Sequence, residues 1–157
     1  MTSEICQPAP SYAGEPKLGR AWVMLCLALA VHACDEALTG FLSVYNPTVR
    51  AFRERLPWAP LPTFGFAAWF AGLFGACCIL LLLARFVYRG DRWMRPLGYG
   101  FAVLMIFNGL GHVAGTIAGH SLFSVPSPHP MPGFYSSPLL LAAAGYLLYR
   151  LRYPAPQ

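Results

Sequence analysis

Four stretches of this chain, at about 20–45, 63–88, 96–119 and 137–152, are long and nearly free of charge, and short basic or proline-rich segments separate them. A soluble chain of 157 residues needs a polar surface, yet 57% of these residues are hydrophobic and only 11% are charged. This is the pattern of a multi-pass membrane protein. It predicts an all-α fold, a single domain over 20–152 built as a bundle of four transmembrane helices. A flexible N-terminal tail at 1–19 and a C-terminal tail at 153–157 flank it. The net charge of +5 does not point to nucleic acid, because the basic residues sit at the ends of apolar runs rather than in one patch.

Val31-His32-Ala33-Cys34 has the outline of a lipoprotein cleavage box. The apolar run continues past it through Phe41-Leu42 to Tyr45, which favours a span over a cleaved signal peptide. Residues 46–60 form a connector punctuated by Asn46-Pro47, Pro57 and Pro60, within which Val49, Phe52 and Leu56 share the face of a short interfacial helix. Gly65, Gly72 and Gly75 on the second span, and the Gly111, Gly115, Gly119 ridge on the third, permit close helix contact, and the ridge could also join two copies.

Pro126, Pro128, Pro130, Pro132 and Gly133 make 121–137 a loop, and Ser136-Ser137-Pro138 reads as a helix start with serine as the cap. The last helix is short for a span, so the loop before it is expected to dip into the membrane against protein, or the bilayer to thin there. Lys17, Arg20, Arg85, Arg89, Arg92, Arg95, Arg150 and Arg152 face Arg50, Arg53 and Arg55 across the expected membrane. That bias puts both termini in the cytoplasm. Of five cysteines, Cys26, Cys34, Cys77 and Cys78 fall in spans and Cys6 in the tail; none has zinc-type spacing, and they read as free thiols.

The chemistry should lie where the apolar runs are interrupted. Ionisable groups inside a span cost about 2.5–3.5 kcal/mol each on insertion scales and mark function. On the first span His32, Asp35, Glu36, Thr39 and Ser43 form one stripe at steps of three and four. On the third, Asn108, His112, Thr116 and His120 recur every four. Counted at 1.5 Å per residue from Arg20 and Pro96, His32 and Asn108 both fall about 18 Å along, and Glu36 and His112 about 24 Å. The two stripes thus reach the same depth, and the positive end of the last helix lies on the same side, ready for an anionic group.

These residues resemble the HXXEE-motif family of small bacterial membrane proteins. His32-Ala33-Cys34-Asp35-Glu36 matches that motif with Asp in place of the first Glu, and Asn108-Gly-Leu-Gly-His112 and Pro132-Gly133 are similar to its later features. The resemblance covers about residues 30–150 and implies a bacterial inner-membrane protein; it implies no mechanism. Asp35 keeps the charge but has a shorter reach. In architecture, the chain is also similar to the emopamil-binding (EXPERA) sterol isomerases, whose acidic residues protonate a sterol double bond. His32, Glu36 and Asn108 would be the counterparts in kind.

Two chemistries follow for a pocket lined by His32, Asp35, Glu36, Asn108 and His112. One is a divalent metal, zinc or iron, held by His32, Glu36 and His112, with Asp35 or His120 as a fourth ligand. The other is acid–base catalysis on a lipophilic small molecule, with Glu36 as acid or base, His32 and His112 as its partners, Asn108 orienting the substrate and Asp35 within the same cluster. A binding or transport module without turnover, and a buried polar network that fixes helix packing in a partner subunit, are the competing readings. His129, in the proline loop, is expected to be exposed.

Overall fold

The computed structural model describes residues 16–121 and 124–153. Those residues form five α-helices and no strand: α1 (Pro16–Thr39), α2 (Leu42–Arg55), α3 (Phe66–Arg89), α4 (Met94–Ala118) and α5 (Ser137–Arg152). The N-terminal residues 1–15 and 154–157, read as tails, lie outside the described residues; α1 already begins at Pro16.

The all-helical expectation holds, but the four-span bundle needs correction. Three helices, α1, α3 and α4, are long and apolar enough to cross a membrane. α5 has 16 residues, about 24 Å at the helical rise and short of a hydrocarbon core of about 30 Å. The placement of both termini on the cytoplasmic side rested on four crossings and falls with them.

The run expected as one span at 20–45 divides at Gly40. This glycine takes a left-handed φ of +81°, and the Phe41 amide returns to the Glu36 carbonyl at 2.9 Å, the six-to-one bond of a Schellman stop. α2 then starts at Leu42 and runs through Pro47, so Asn46-Pro47 does not break the chain as expected. The Asn46 amide instead clamps the connector, donating to the Phe64 carbonyl at 2.9 Å and accepting from the Phe64 amide at 3.0 Å. The same Schellman geometry ends α3 at Gly90, with Asp91 N–H reaching the Phe86 carbonyl at 3.1 Å.

α1 packs between α3 and α5, and α4 packs on the other side of α5. Close approach comes from small residues. A Cβ on Gly19 would stand 2.5 Å from the Tyr88 ring, one on Gly109 2.9 Å from Leu141, and one on Gly98 3.2 Å from Leu151. Trp22 knits α1 to α3 by donating its indole N–H to the Leu80 carbonyl at 2.8 Å, and it meets Phe101 of α4 at 5.3 Å between ring centroids. Leu140, Ala144 and Leu147 bury one face of α5 completely.

The expected ridge behaves differently. Among the described residues a Cβ on Gly111 or Gly119 would meet nothing within 4 Å, and Gly115 lies against Met131 of the following loop rather than against a helix. Gly65, Gly72 and Gly75 are likewise open. α3 touches the rest along one stripe, Cys77, Ala84 and Val87, and turns Phe66, Phe74, Ile79 and Leu82 outward, as a lipid-facing helix does. Cys26 and Cys77 are buried and Cys34 exposed, all as free thiols.

Candidate metal centre

His32 and Glu36 stand one turn apart on α1, and the helix stops one turn later at Gly40. Both side chains point to the gap that α5 and α4 close. His112 enters from α4. All three residues are buried, His32 completely, and their ligand atoms lie within 4.8 Å of one another. Glu36 Oε1 is 3.1 Å from His112 Nε2 and 3.6 Å from His32 Nε2. The imidazole rings meet edge to face at 4.8 Å. The equal depths counted on the two helices thus correspond to a real meeting of Glu36 with His112.

The tautomer of His32 follows from its other nitrogen. The Ser136 hydroxyl is 2.7 Å from Asp35 Oδ2 and donates its one proton there. Ser136 Oγ can then only accept from His32, whose Nδ1 is 2.8 Å away. Nδ1 therefore carries the proton in the neutral ring, and Nε2 presents a lone pair toward the Glu36 carboxylate. Buried among apolar helices, His32 Nε2 has no hydrogen-bond partner among the described residues. Two electron-rich atoms face each other across 3.6 Å, an arrangement that calls for a cation between them. His112 Nδ1 is also without a partner.

Asp35 is not part of the ligand group. Its Oδ2 also accepts the Ser136 backbone N–H at 2.8 Å, so it occupies the positive end of α5, where an anionic group was expected. Ser136 does sit at the cap position with proline behind it, but its side chain makes no cap bond; the hydroxyl bridges His32 and Asp35 instead. Sequence reading took Ser136 only as a cap. The signal that marks it more fully is the buried stripe of α5, Leu140, Ala143 and Leu147, whose N-terminal extension is this serine.

The proline loop closes the site. Pro132 and Gly133 are buried. Gly133 has φ +85°, and a Cβ there would stand 2.8 Å from His112 Cε1 and 3.1 Å from Glu36 Cγ. Thr39 and Thr116 anchor the loop, accepting from the amides of Gly133 at 3.2 Å and Met131 at 3.0 Å. His129 is exposed, as expected.

Beside the centre lies a cavity of about 510 Å³ between α2, α4 and the loop. Phe41, Tyr45, Phe107 and Met131 give it apolar walls, and His112 is the one member of the buried group that reaches it. Asn108 is half-buried in its wall, and His120, exposed, lies on its rim and outside the ligand group. His120 Nδ1 donates to the Ser121 carbonyl at 2.9 Å. The aromatic and sulfur wall was not foreseen, because Phe41 and Tyr45 were assigned to a span.

Comparison of the chain with family models, with curated proteins and with solved structures returned no match. The site is therefore read from its own geometry.

Proposed function

We propose that this membrane protein holds one divalent metal ion, zinc or iron, on His32 Nε2, Glu36 Oε1 and His112 Nε2, and acts on a lipophilic small molecule seated in the neighbouring cavity. The observation that carries this reading is the lone pair of His32 Nε2, oriented by the Ser136–Asp35 relay onto a carboxylate and left without a donor. Ligand atoms on a tetrahedral ion at about 2.0–2.1 Å stand about 3.3 Å apart, close to the 3.1 and 3.6 Å separations from Glu36. Two histidines and one carboxylate leave coordination positions open, as catalytic zinc and non-haem iron sites do.

A bound ion there would supply Lewis acidity, or redox chemistry in the case of iron. The chain's own residues do the rest. Phe41, Val44, Tyr45 and Phe107 give the cavity apolar walls that suit a lipophilic ligand. Asn108 can hydrogen-bond the polar head of a ligand, and His112 links cavity to centre. The HXXEE resemblance and a bacterial inner-membrane location belong to the same proposal.

Elemental analysis of detergent-purified protein tests it. The parent should carry about one equivalent of zinc or iron, and His32→Ala/His112→Ala none. Metal absent from parent protein purified without chelator and reloaded with either ion would sink the metal reading. A second reading, acid–base chemistry without metal, is favoured by one observation: His112 Nε2 lies within hydrogen-bond distance of Glu36 Oε1, so the pair can share a proton beside the cavity. On that reading Glu36→Gln abolishes turnover and retains ligand. In a non-catalytic binder the same change lowers affinity instead.

A further inference from the structure

The opposite end of the bundle holds an arginine that no described residue neutralises. Arg150 lies on the α5 stripe that faces α1, only 9% exposed, and its Nε and Nη2 are buried with no hydrogen-bond partner. Ser136 meets His32 at one end of that stripe, so Arg150, about 21 Å along α5, is level with the first turns of α1. The Gly19–Tyr88 contact puts the end of α3 at that level, and the Arg95 guanidinium, donating to the Leu151 carbonyl at 2.7 Å, puts the start of α4 there. Eight basic residues gather at this end. Asp91 is the only described acid there; Asp35 and Glu36 belong to the far site and Glu54 to α2. Glu4 and Glu15 lie outside the described residues. A buried guanidinium with no counter-charge among the described residues calls for an anion, and its planar fork matches the oxygens of a phosphate.

The location says which phosphate. α1, α3 and α4 all enter or leave their apolar spans at this end. Trp93, Tyr88, Tyr99, Tyr149 and Tyr153 are exposed around it, the girdle that marks headgroup level. We infer that Arg150 anchors the phosphate of an anionic phospholipid headgroup at the α1–α5 seam. Arg150 and the basic rim supply the charge, and the outward tyrosines and tryptophan supply the apolar contact for the lipid's first methylenes.

The test titrates delipidated full-length protein in neutral detergent with phosphatidylglycerol, phosphatidylcholine and inorganic phosphate, reading bound lipid by native mass spectrometry and Tm by intrinsic fluorescence. One phosphatidylglycerol should bind at least tenfold more tightly than phosphatidylcholine and raise Tm. Arg150→Gln should lose that preference, while Arg50→Gln, on α2 and away from this end, should keep it. Equal binding of the two lipids to the parent protein overturns the inference and requires no variant to fold. Protection by millimolar phosphate with none from phosphatidylglycerol overturns the lipid as the source. Should Glu15→Gln and Arg150→Gln destabilise equally and without adding, with no lipid preference, the counter-charge is internal and the inference fails.

Discussion

The two ends of α5 treat charge in opposite ways. At its N-terminus polar groups are paired across segments: Asp35 accepts from the Ser136 hydroxyl and amide, and His32 donates its Nδ1–H to Ser136 Oγ. What remains unsatisfied there among the described residues are two imidazole nitrogens, His32 Nε2 and His112 Nδ1. At the C-terminus what remains unsatisfied is a set of N–H donors, on Arg150. On the readings proposed above, the first end would take a cation and the second an anion. The same physical rule, that apolar surroundings leave no water to complete a hydrogen bond, makes each deficit informative.

The strongest way to break this contrast is to remove the ligands. His32→Ala/His112→Ala should abolish metal content, and the loss should be complete because a single remaining carboxylate cannot retain the ion; elemental analysis checks it. Ser136→Ala tests whether the relay matters. It frees His32 to adopt the other tautomer, and metal affinity should fall about 10–100-fold, as for other changes behind a ligand, measured by competition with a chelator. Retained affinity in Ser136→Ala would mean that the hydroxyl only holds α5 in place.

Gly133→Ala should cost about 1–3 kcal/mol of stability in a detergent unfolding titration, since the left-handed φ and the His112 contact both oppose a side chain. The smallest effect belongs to Gly111→Ala, where a Cβ meets nothing. Its stability should stay within about 0.5 kcal/mol of the parent, read in the same titration. A larger loss that depends on protein concentration would show that the ridge joins two copies. Acidification should release the metal reversibly, because both imidazoles must be deprotonated to bind it.

Parts of this structure were legible before any coordinates. The α1 stripe of His32, Asp35 and Glu36 is visible because steps of three and four superimpose residues on one helical face. Its matching depth with His112 was legible as well, since two helices starting at comparable basic boundaries bring residues of equal rise to one level; the contact itself came from the packing of α1 and α4 around α5. The division at Gly40 was missed, although a glycine stood there, because apolar Phe41, Leu42 and Val44 continue the hydrophobic pattern across the stop. Thr48, hydrogen-bonded to Ser121, and the Asn46 clamp on Phe64 hold α2 aside. None of these partners is near in sequence.

Sequence alone thus determined that the chain is helical and suited to a membrane, and which residue types interrupt its apolar runs. In an apolar solvent each helix must satisfy its own backbone, so local composition suffices for that much. Tertiary structure alone decided that Ser136, 104 residues from His32, sets its tautomer, that Asp35 serves the end of α5 rather than the ligand group, and that Arg150 Nε and Nη2 find no partner among the described residues. These outcomes depend on which helix faces lie together, and that is settled by the fit of Gly98 and Gly109 against α5 and of Gly19 against α3, contacts that no periodicity within one segment can specify.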